Sequence, residues 1–173
     1  MKNAKKIAVL LLAGCMALGM FTGCGKEEKE KKTVCSNVDI VQLQKDMLST
    51  RDELPEMTTI SSQDENAEEL FATLSDMEYD KIQDYFYSYA SDGKASEVAV
   101  VFLKDKADVD TMVENLKEFK ESRKKTYENY APDQVEIAEQ AVVFAKGNFV
   151  CYIMNEKFSH IKATFEKAME EAE

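Results

Sequence analysis

The second half of the chain repeats one order of sequence patterns, and this order constrains the fold more than any other feature. In the first copy, the β-rich runs 85–90 and 98–103 flank Asp92-Gly93, and a helical period then continues until Pro132. Asp-Gly between such runs is a strong hairpin signal, and proline cannot continue a helix. The segment therefore predicts a β-hairpin followed by a long helix.

The same order recurs towards the C-terminus. The apolar runs 141–145 and 149–154 flank Gly147-Asn148, where glycine in first place suits a type II′ turn, and a helical stripe follows from Phe158. Runs that are apolar on both faces, such as 149–154, are typical of central strands covered on both sides. Hairpin, helix, hairpin, helix predicts an α+β domain with an antiparallel sheet of about four strands.

Two further amphipathic helices are predicted before the first hairpin. Ser36 and Ser62 each have an acidic residue three positions later, which is a capping pattern, and each precedes an apolar helical stripe. Pro55 ends the first pattern, and residues 57–60 form a short extended piece. We expect the long helices to cover one face of the sheet, and these N-terminal helices or a partner to cover the other.

The N-terminus has the layout of a secretory signal. Three lysines precede the uncharged apolar run 7–20, which is shorter than the roughly 20 residues that span a bilayer. Residues 21–24, Phe-Thr-Gly-Cys, resemble the bacterial lipobox, in which the cysteine is lipidated and becomes the first residue of the mature protein. A rival pattern ends at Cys15, but only Cys24 is followed at once by a polar stretch. An ordinary cleaved signal with an unmodified Cys24 is the other alternative.

These features divide the chain into three parts. Residues 1–23 are predicted to be a lipoprotein signal peptide, residues 24–32 the lipidated Cys24 with a charged tether of Lys and Glu, and residues 33–173 a single α+β domain. A diacylglyceryl group on Cys24, with its two acyl chains, would anchor the protein to the outer face of the cytoplasmic membrane.

The charge of the domain argues against two classes of binding partner. Residues 33–173 carry 15 basic and 30 acidic side chains, a net charge of −15, which repels nucleic acid and anionic lipid headgroups.

Two cysteines, Cys35 and Cys151, lie outside the predicted signal and anchor. A disulfide between them is one possibility, and a buried, inert thiol at Cys151 is the other.

The domain resembles a known family through the order of its segments. The alternating aromatic strand, Glu97 leading the run 98–103, the long charged helix that ends in Tyr-Glu-Asn-Tyr-Ala-Pro at 127–132, and Gly-Asn-Phe-Val at 147–150 are similar to the bacterial lipoproteins of domain-of-unknown-function family 4358. The likeness covers roughly residues 40–155. It implies an anchored extracytoplasmic domain and supplies no catalytic residues.

No catalytic, cofactor or metal site is predicted. His160 is the only histidine, so no histidine pair or Ser-His-Asp arrangement can be built, and P-loop, G-x-S-x-G, C-x-x-C and dinucleotide motifs are absent from the sequence. Asp105, Asp108 and Asp110 lack the EF-hand pattern of a calcium site, and Asp105 with Asp108 is explained by capping of the long helix.

Three tyrosines form the one candidate binding feature. Tyr85, Tyr87 and Tyr89 alternate along a predicted strand and therefore point to one face, where they would suit sugar stacking or a protein interface. The plainer interpretation is a half-buried sheet edge under a helix. We expect a non-enzymatic, membrane-anchored lipoprotein that binds a protein or a small ligand. The alternatives are a hydrolase that attacks envelope polymer with paired carboxylates, and an accessory subunit of a membrane transport complex.

Overall fold

The computed structural model describes residues 38–49 and 54–172. The predicted signal peptide, the lipidation site Cys24 with its rival Cys15, the tether, Cys35 and the capping residue Ser36 all lie outside the described residues.

The core of the fold is a five-stranded antiparallel sheet with the strand order β1-β2-β3-β5-β4. This confirms the predicted α+β class and its two hairpins, with one strand more than the four expected. The strands are β1 (Met57–Ser61), β2 (Ile82–Ala90), β3 (Glu97–Leu103), β4 (Val142–Lys146) and β5 (Phe149–Met154).

The additional strand is the short extended piece before the first hairpin. Its threonines and isoleucine favour β structure, and it pairs with β2 from Met57 opposite Ala90 to Ser61 opposite Phe86. As a result, β2 is an inner strand and not the sheet edge that the sequence suggested.

Within residues 38–49 and 54–172, five α-helices cover the two faces of the sheet. The face formed by Tyr85, Tyr87 and the alternate residues of β3 and β5 packs against the second, third and fourth helices, and the opposite face packs against the first and fifth. The helices are α1 (Ile40–Leu48), α2 (Ala67–Phe71), α3 (Val109–Tyr130), α4 (Val135–Gln140) and α5 (Phe158–Glu171).

This arrangement corrects the predicted placement of the helices. The two long helices, α3 and α5, lie on opposite faces, and α1 and α2 are likewise divided between them. The reason is that β3 and β5 lie next to each other at the centre of the sheet and are buried on both sides. Each face therefore needs its own long apolar helix.

Both N-terminal helices begin later than the capping patterns predict. Asp39, rather than Ser36, is the N-cap of α1, and its carboxylate accepts the backbone N–H groups of the helix's first turn. The Ser62 hydroxyl donates to Asp84, and its N–H bonds to Tyr85 as a continuation of the β1–β2 ladder. Strand pairing therefore takes precedence over capping at Ser62, and α2 is only five residues long.

No helix in the described ranges is long and apolar enough to cross a membrane.

Candidate functional site

An ion pair is buried between the sheet and α3. Glu97, the first residue of β3, is fully buried, and its Oε1 lies 2.7 Å from Nε and 2.6 Å from Nη2 of Arg123. The Tyr152 hydroxyl donates to the other carboxylate oxygen at 3.1 Å. An unpaired carboxylate in this position would be very costly, and the pairing with a guanidinium compensates its charge.

Tyr127 links this pair to the turn between β2 and β3. Its hydroxyl oxygen accepts from Arg123 at 3.2 Å and lies 3.2 Å from Glu97 Oε1 and 3.1 Å from the carbonyl oxygen of Lys94, so these two acceptors share its proton. Burial, followed by the charge of Glu97, raises the pKa of Tyr127 to about 12. The neutral phenol is therefore held in place as a bridge between α3 and the turn.

The aromatic side chains around the pair form its apolar lining. Phe119 lies edge-on to Tyr87 and to Tyr152, with ring centroids 5.5 and 5.4 Å apart. Burial is the main cause that raises the pKa of both tyrosines, and the charge of Glu97 adds to it. Burial lowers the pKa of Arg123, but the hydrogen bond and charge of Glu97 outweigh it, so the net shift is upwards.

A cleft of about 340 Å³ opens beside the turn that Tyr127 supports, at one end of the sheet. This volume lies at the lower end of the range of small-ligand sites. Its walls come from the segment before β1, the β2–β3 turn, the start of α4 and the segment between β5 and α5, and its lining residues are Pro55, Lys94, Ala95, Ser96, Gln134, Ile137, Asn155, Glu156 and Lys157.

Side-chain hydrogen bonds fix the floor of this cleft. The Gln134 side-chain oxygen accepts the N–H of Ala95 at 3.1 Å, and the Asn155 amide donates to the buried Ser96 hydroxyl at 2.9 Å. Asn155 also accepts the N–H of Lys157 at 2.7 Å. The floor thus joins the turn, α4 and the start of α5 before any ligand arrives, which lowers the entropic cost of binding.

The three candidate tyrosines share one face, as their alternation predicts, but they differ in exposure. Tyr85 is fully buried and donates to the carbonyl oxygen of Ala67 at 2.7 Å, Tyr87 is buried beneath Phe119, and Tyr89 is half-buried beside Tyr87. Only Tyr89 is therefore partly open to a ligand without rearrangement of the core.

The remaining candidate positions have ordinary structural roles. His160 is exposed on α5, Asp105 caps the turn before α3 by accepting the N–H of Ala107, and Asp108 pairs with Lys81 at 3.1 Å. Within residues 38–49 and 54–172, no three or more His, Cys, Asp or Glu side chains are grouped so that they could hold a metal ion.

A family model described as a domain of unknown function (DUF4358) matches residues 56–155. The chain belongs to this family. The DUF4358 match includes all five strands together with α2, α3 and α4, and it leaves α1 and α5 outside. It also includes the buried ion pair and most of the cleft lining. No curated protein and no solved structure matches the chain.

No motif in the sequence identifies Glu97 and Arg123 as partners. One signal was available within the DUF4358 region, because Glu97 directly precedes a six-residue apolar run and a charge next to a central strand needs a partner. The choice of Arg123 among the many cations of α3 depends on the angle at which the helix crosses the sheet, which periodicity does not specify.

Proposed function

We propose that this protein is a bacterial lipoprotein, anchored through Cys24 to the outer face of the cytoplasmic membrane, whose domain binds a small ligand in the cleft without catalysing a reaction. The observation that carries the binding proposal is the cleft of about 340 Å³, whose floor is fixed by internal hydrogen bonds. Membership of DUF4358 is compatible with the proposal but assigns no activity.

The position of the cleft suits a protein that is tethered at its N-terminus. Val38 and Asp39, at the start of α1, line a groove together with Ala168 and Ala172 at the end of α5. The cleft, in contrast, includes Lys157 at the start of α5. The 14 residues of α5 extend for about 21 Å, so the cleft and the tethered end of the domain are separated by roughly that length.

The anchor is tested by labelling cells with a palmitate analogue. We expect the full chain to take up the label and to fractionate with membranes, Cys24→Ser to lose both properties, and Cys15→Ser to retain them. If the label is lost only in Cys15→Ser, then Cys15 and not Cys24 is the lipidated residue. An unlabelled wild-type chain would overturn the lipoprotein proposal.

Ligand binding is tested by thermal melts of the full chain in non-ionic detergent, followed by circular dichroism. Sugars, peptides, amino acids and divalent metals form the panel. A ligand at 100 times its Kd adds about 2.7 kcal/mol, which raises the Tm by several degrees.

The matched variants are Glu156→Trp, which fills the cleft from an exposed lining position, and Glu114→Trp on the exposed face of α3. We expect only Glu156→Trp to abolish the shift. A panel without any shift, or a shift that survives Glu156→Trp, would contradict binding in the cleft. Turnover of a panel compound would contradict the non-enzymatic part of the proposal.

A further inference from the structure

We propose that the outer edge of β4 is a dimerisation surface, at which β4 of a second copy of this chain pairs antiparallel about a two-fold axis through Phe144. Such pairing would join two five-stranded sheets into one continuous sheet. It is independent of ligand binding in the cleft, because the cleft lining includes no residue of β4.

The strand β4 directs unpaired backbone groups away from the sheet. The N–H of Leu103 donates to the carbonyl oxygen of Asn148 at 2.9 Å, and residues of an inner antiparallel strand bond alternately to its two neighbours. The odd-numbered residues of β5 therefore bond to the even-numbered residues of β4. The N–H and C=O groups of Val143 and Ala145 point outwards, and in the part of the chain that the structure describes they have no hydrogen-bond partner.

The other edge of the sheet, formed by β1, is partly closed. The N–H of Ser62 donates to the carbonyl oxygen of Tyr85 at 3.1 Å, so the odd-numbered residues of β1 point outwards. Of these, Ser61 is occupied, because its N–H donates to the Asp64 carboxylate at 2.6 Å and its carbonyl oxygen accepts the N–H of Asp64 at 3.2 Å. Protection of this kind limits pairing at an edge. The contrast favours β4 on β4, which closes as a two-fold dimer, over β4 on β1, which would extend without limit.

The residues of β4 are complementary to themselves in this register. Val143 of one copy lies opposite Ala145 of the other, and each such pair exchanges both of its N–H···O bonds. Phe144 is half-buried on the α5 face, edge-on to Phe165 at 5.4 Å between ring centroids, with the Lys162 ammonium 4.8 Å from its own centroid. On the axis Phe144 meets its own copy as a close cross-strand aromatic pair, which stabilises a sheet. On the other face, the exposed Ala145 leaves room for Val143.

The charges beside β4 are matched in sign, unlike those of the domain as a whole. Residues 33–173 have a net charge of −15, so two copies repel each other at most surfaces. Three ion pairs flank β4 on its two faces, namely Lys146–Glu170 at 3.8 Å, Lys162–Glu166 at 3.6 Å and Lys124–Glu139 at 2.7 Å. An edge with balanced charge suits a partner whose interface is also balanced, and the same edge of a second copy meets this condition.

Sedimentation equilibrium of the full chain tests the pairing. The chain is dissolved in a non-ionic detergent matched to the solvent density, with micelles in excess over chains, so that only the protein mass is measured. We expect a monomer–dimer equilibrium with a Kd between about 1 µM and 1 mM, because one pair of edge strands is a small interface. A chain that stays monomeric throughout this range would overturn the proposal.

A proline at the edge separates β4 from other surfaces. Ala145→Pro removes an outward N–H without breaking a bond to β5, and proline is tolerated at such positions. The change removes two hydrogen bonds per dimer and should raise the Kd roughly thirtyfold. Met57→Pro is the matched control, since it removes an outward N–H from the β1 edge and should leave the Kd unchanged. Circular dichroism melts establish that each variant is folded.

A second variant keeps the backbone N–H and decides the case if Ala145→Pro does not fold. Ala145→Lys, at an exposed position, brings two like charges to about 8 Å across the axis and should weaken dimerisation several-fold. A dimer that persists unchanged in folded Ala145→Pro, or in Ala145→Lys, uses another surface and overturns the proposal. A dimer that is lost only in Met57→Pro would assign the interface to β1 and overturn it equally.

Discussion

Glu97 and Arg123, 26 positions apart in the chain, form an ion pair in which Nη2 of the arginine lies 2.6 Å from Oε1 of the glutamate. The carboxylate is buried, and the guanidinium is only partly exposed. The pair joins the central strand β3 to α3, and Tyr127 extends it to the turn at the cleft.

Removal of the cation should destabilise the fold strongly. Arg123→Met leaves the charge of Glu97 buried without its partner, which we expect to cost about 3 kcal/mol of unfolding free energy, at the lower limit for buried pairs because Arg123 reaches solvent. Urea unfolding followed by circular dichroism measures the loss. The double change Glu97→Gln with Arg123→Met should lose less, because no unpaired charge remains. A double variant as unstable as Arg123→Met would contradict this account.

Loss of the Tyr127 hydroxyl should also destabilise the protein, by a smaller amount. Tyr127→Phe removes a buried group that lies within hydrogen-bonding distance of Glu97, Arg123 and the Lys94 carbonyl, and a cost of about 2 kcal/mol is expected. Tyr130→Phe is the matched control, since Tyr130 lies on the same helix with 72 % of its surface exposed. Equal effects in the two variants would show that the hydroxyl network contributes little.

Stability should decline in alkaline solution. The pKa of Tyr127 rises from 10.0 to about 12 in the folded protein, so between these values the folded state binds more protons than the unfolded chain. The resulting stabilisation is fully present below about pH 10 and is lost as pH rises towards 12. Urea midpoints across this range should fall, and they should fall less in Tyr127→Phe. A flat profile for the wild type would contradict the burial of Tyr127.

Cys151 should be unreactive in the folded protein. It lies fully buried in β5 as a free thiol, and burial raises its pKa, so little thiolate is available. We expect a maleimide to modify this residue only after denaturation, as measured by peptide mass spectrometry. The same unreduced digest tests the alternative suggested by the sequence, because a peptide linked between Cys35 and Cys151 would establish the disulfide.

The elements that local patterns specify were predictable. Both hairpins, the long α3 and the C-terminal α5 follow from turn residues and from apolar periods of two or 3.6 residues, and these are properties of neighbouring positions. The helix start at Ser62 was wrong because the same residues can cap a helix or continue a strand, and pairing with β2 decided the outcome there. The first helix has Asp39 as its N-cap, three residues after the position that the capping pattern indicates.

The α+β class, the order of the hairpins and helices, and the acidic balance of the domain all follow from the amino-acid sequence alone, since each depends on composition or on local spacing. The packing in three dimensions set which helix covers which face, made residues 57–61 a fifth strand, placed Arg123 on Glu97, and brought Lys94 and Lys157 into the lining of one cleft. These relationships join residues far apart in the chain, and they depend on sheet order and on the crossing of α3 over the sheet, which no local pattern encodes.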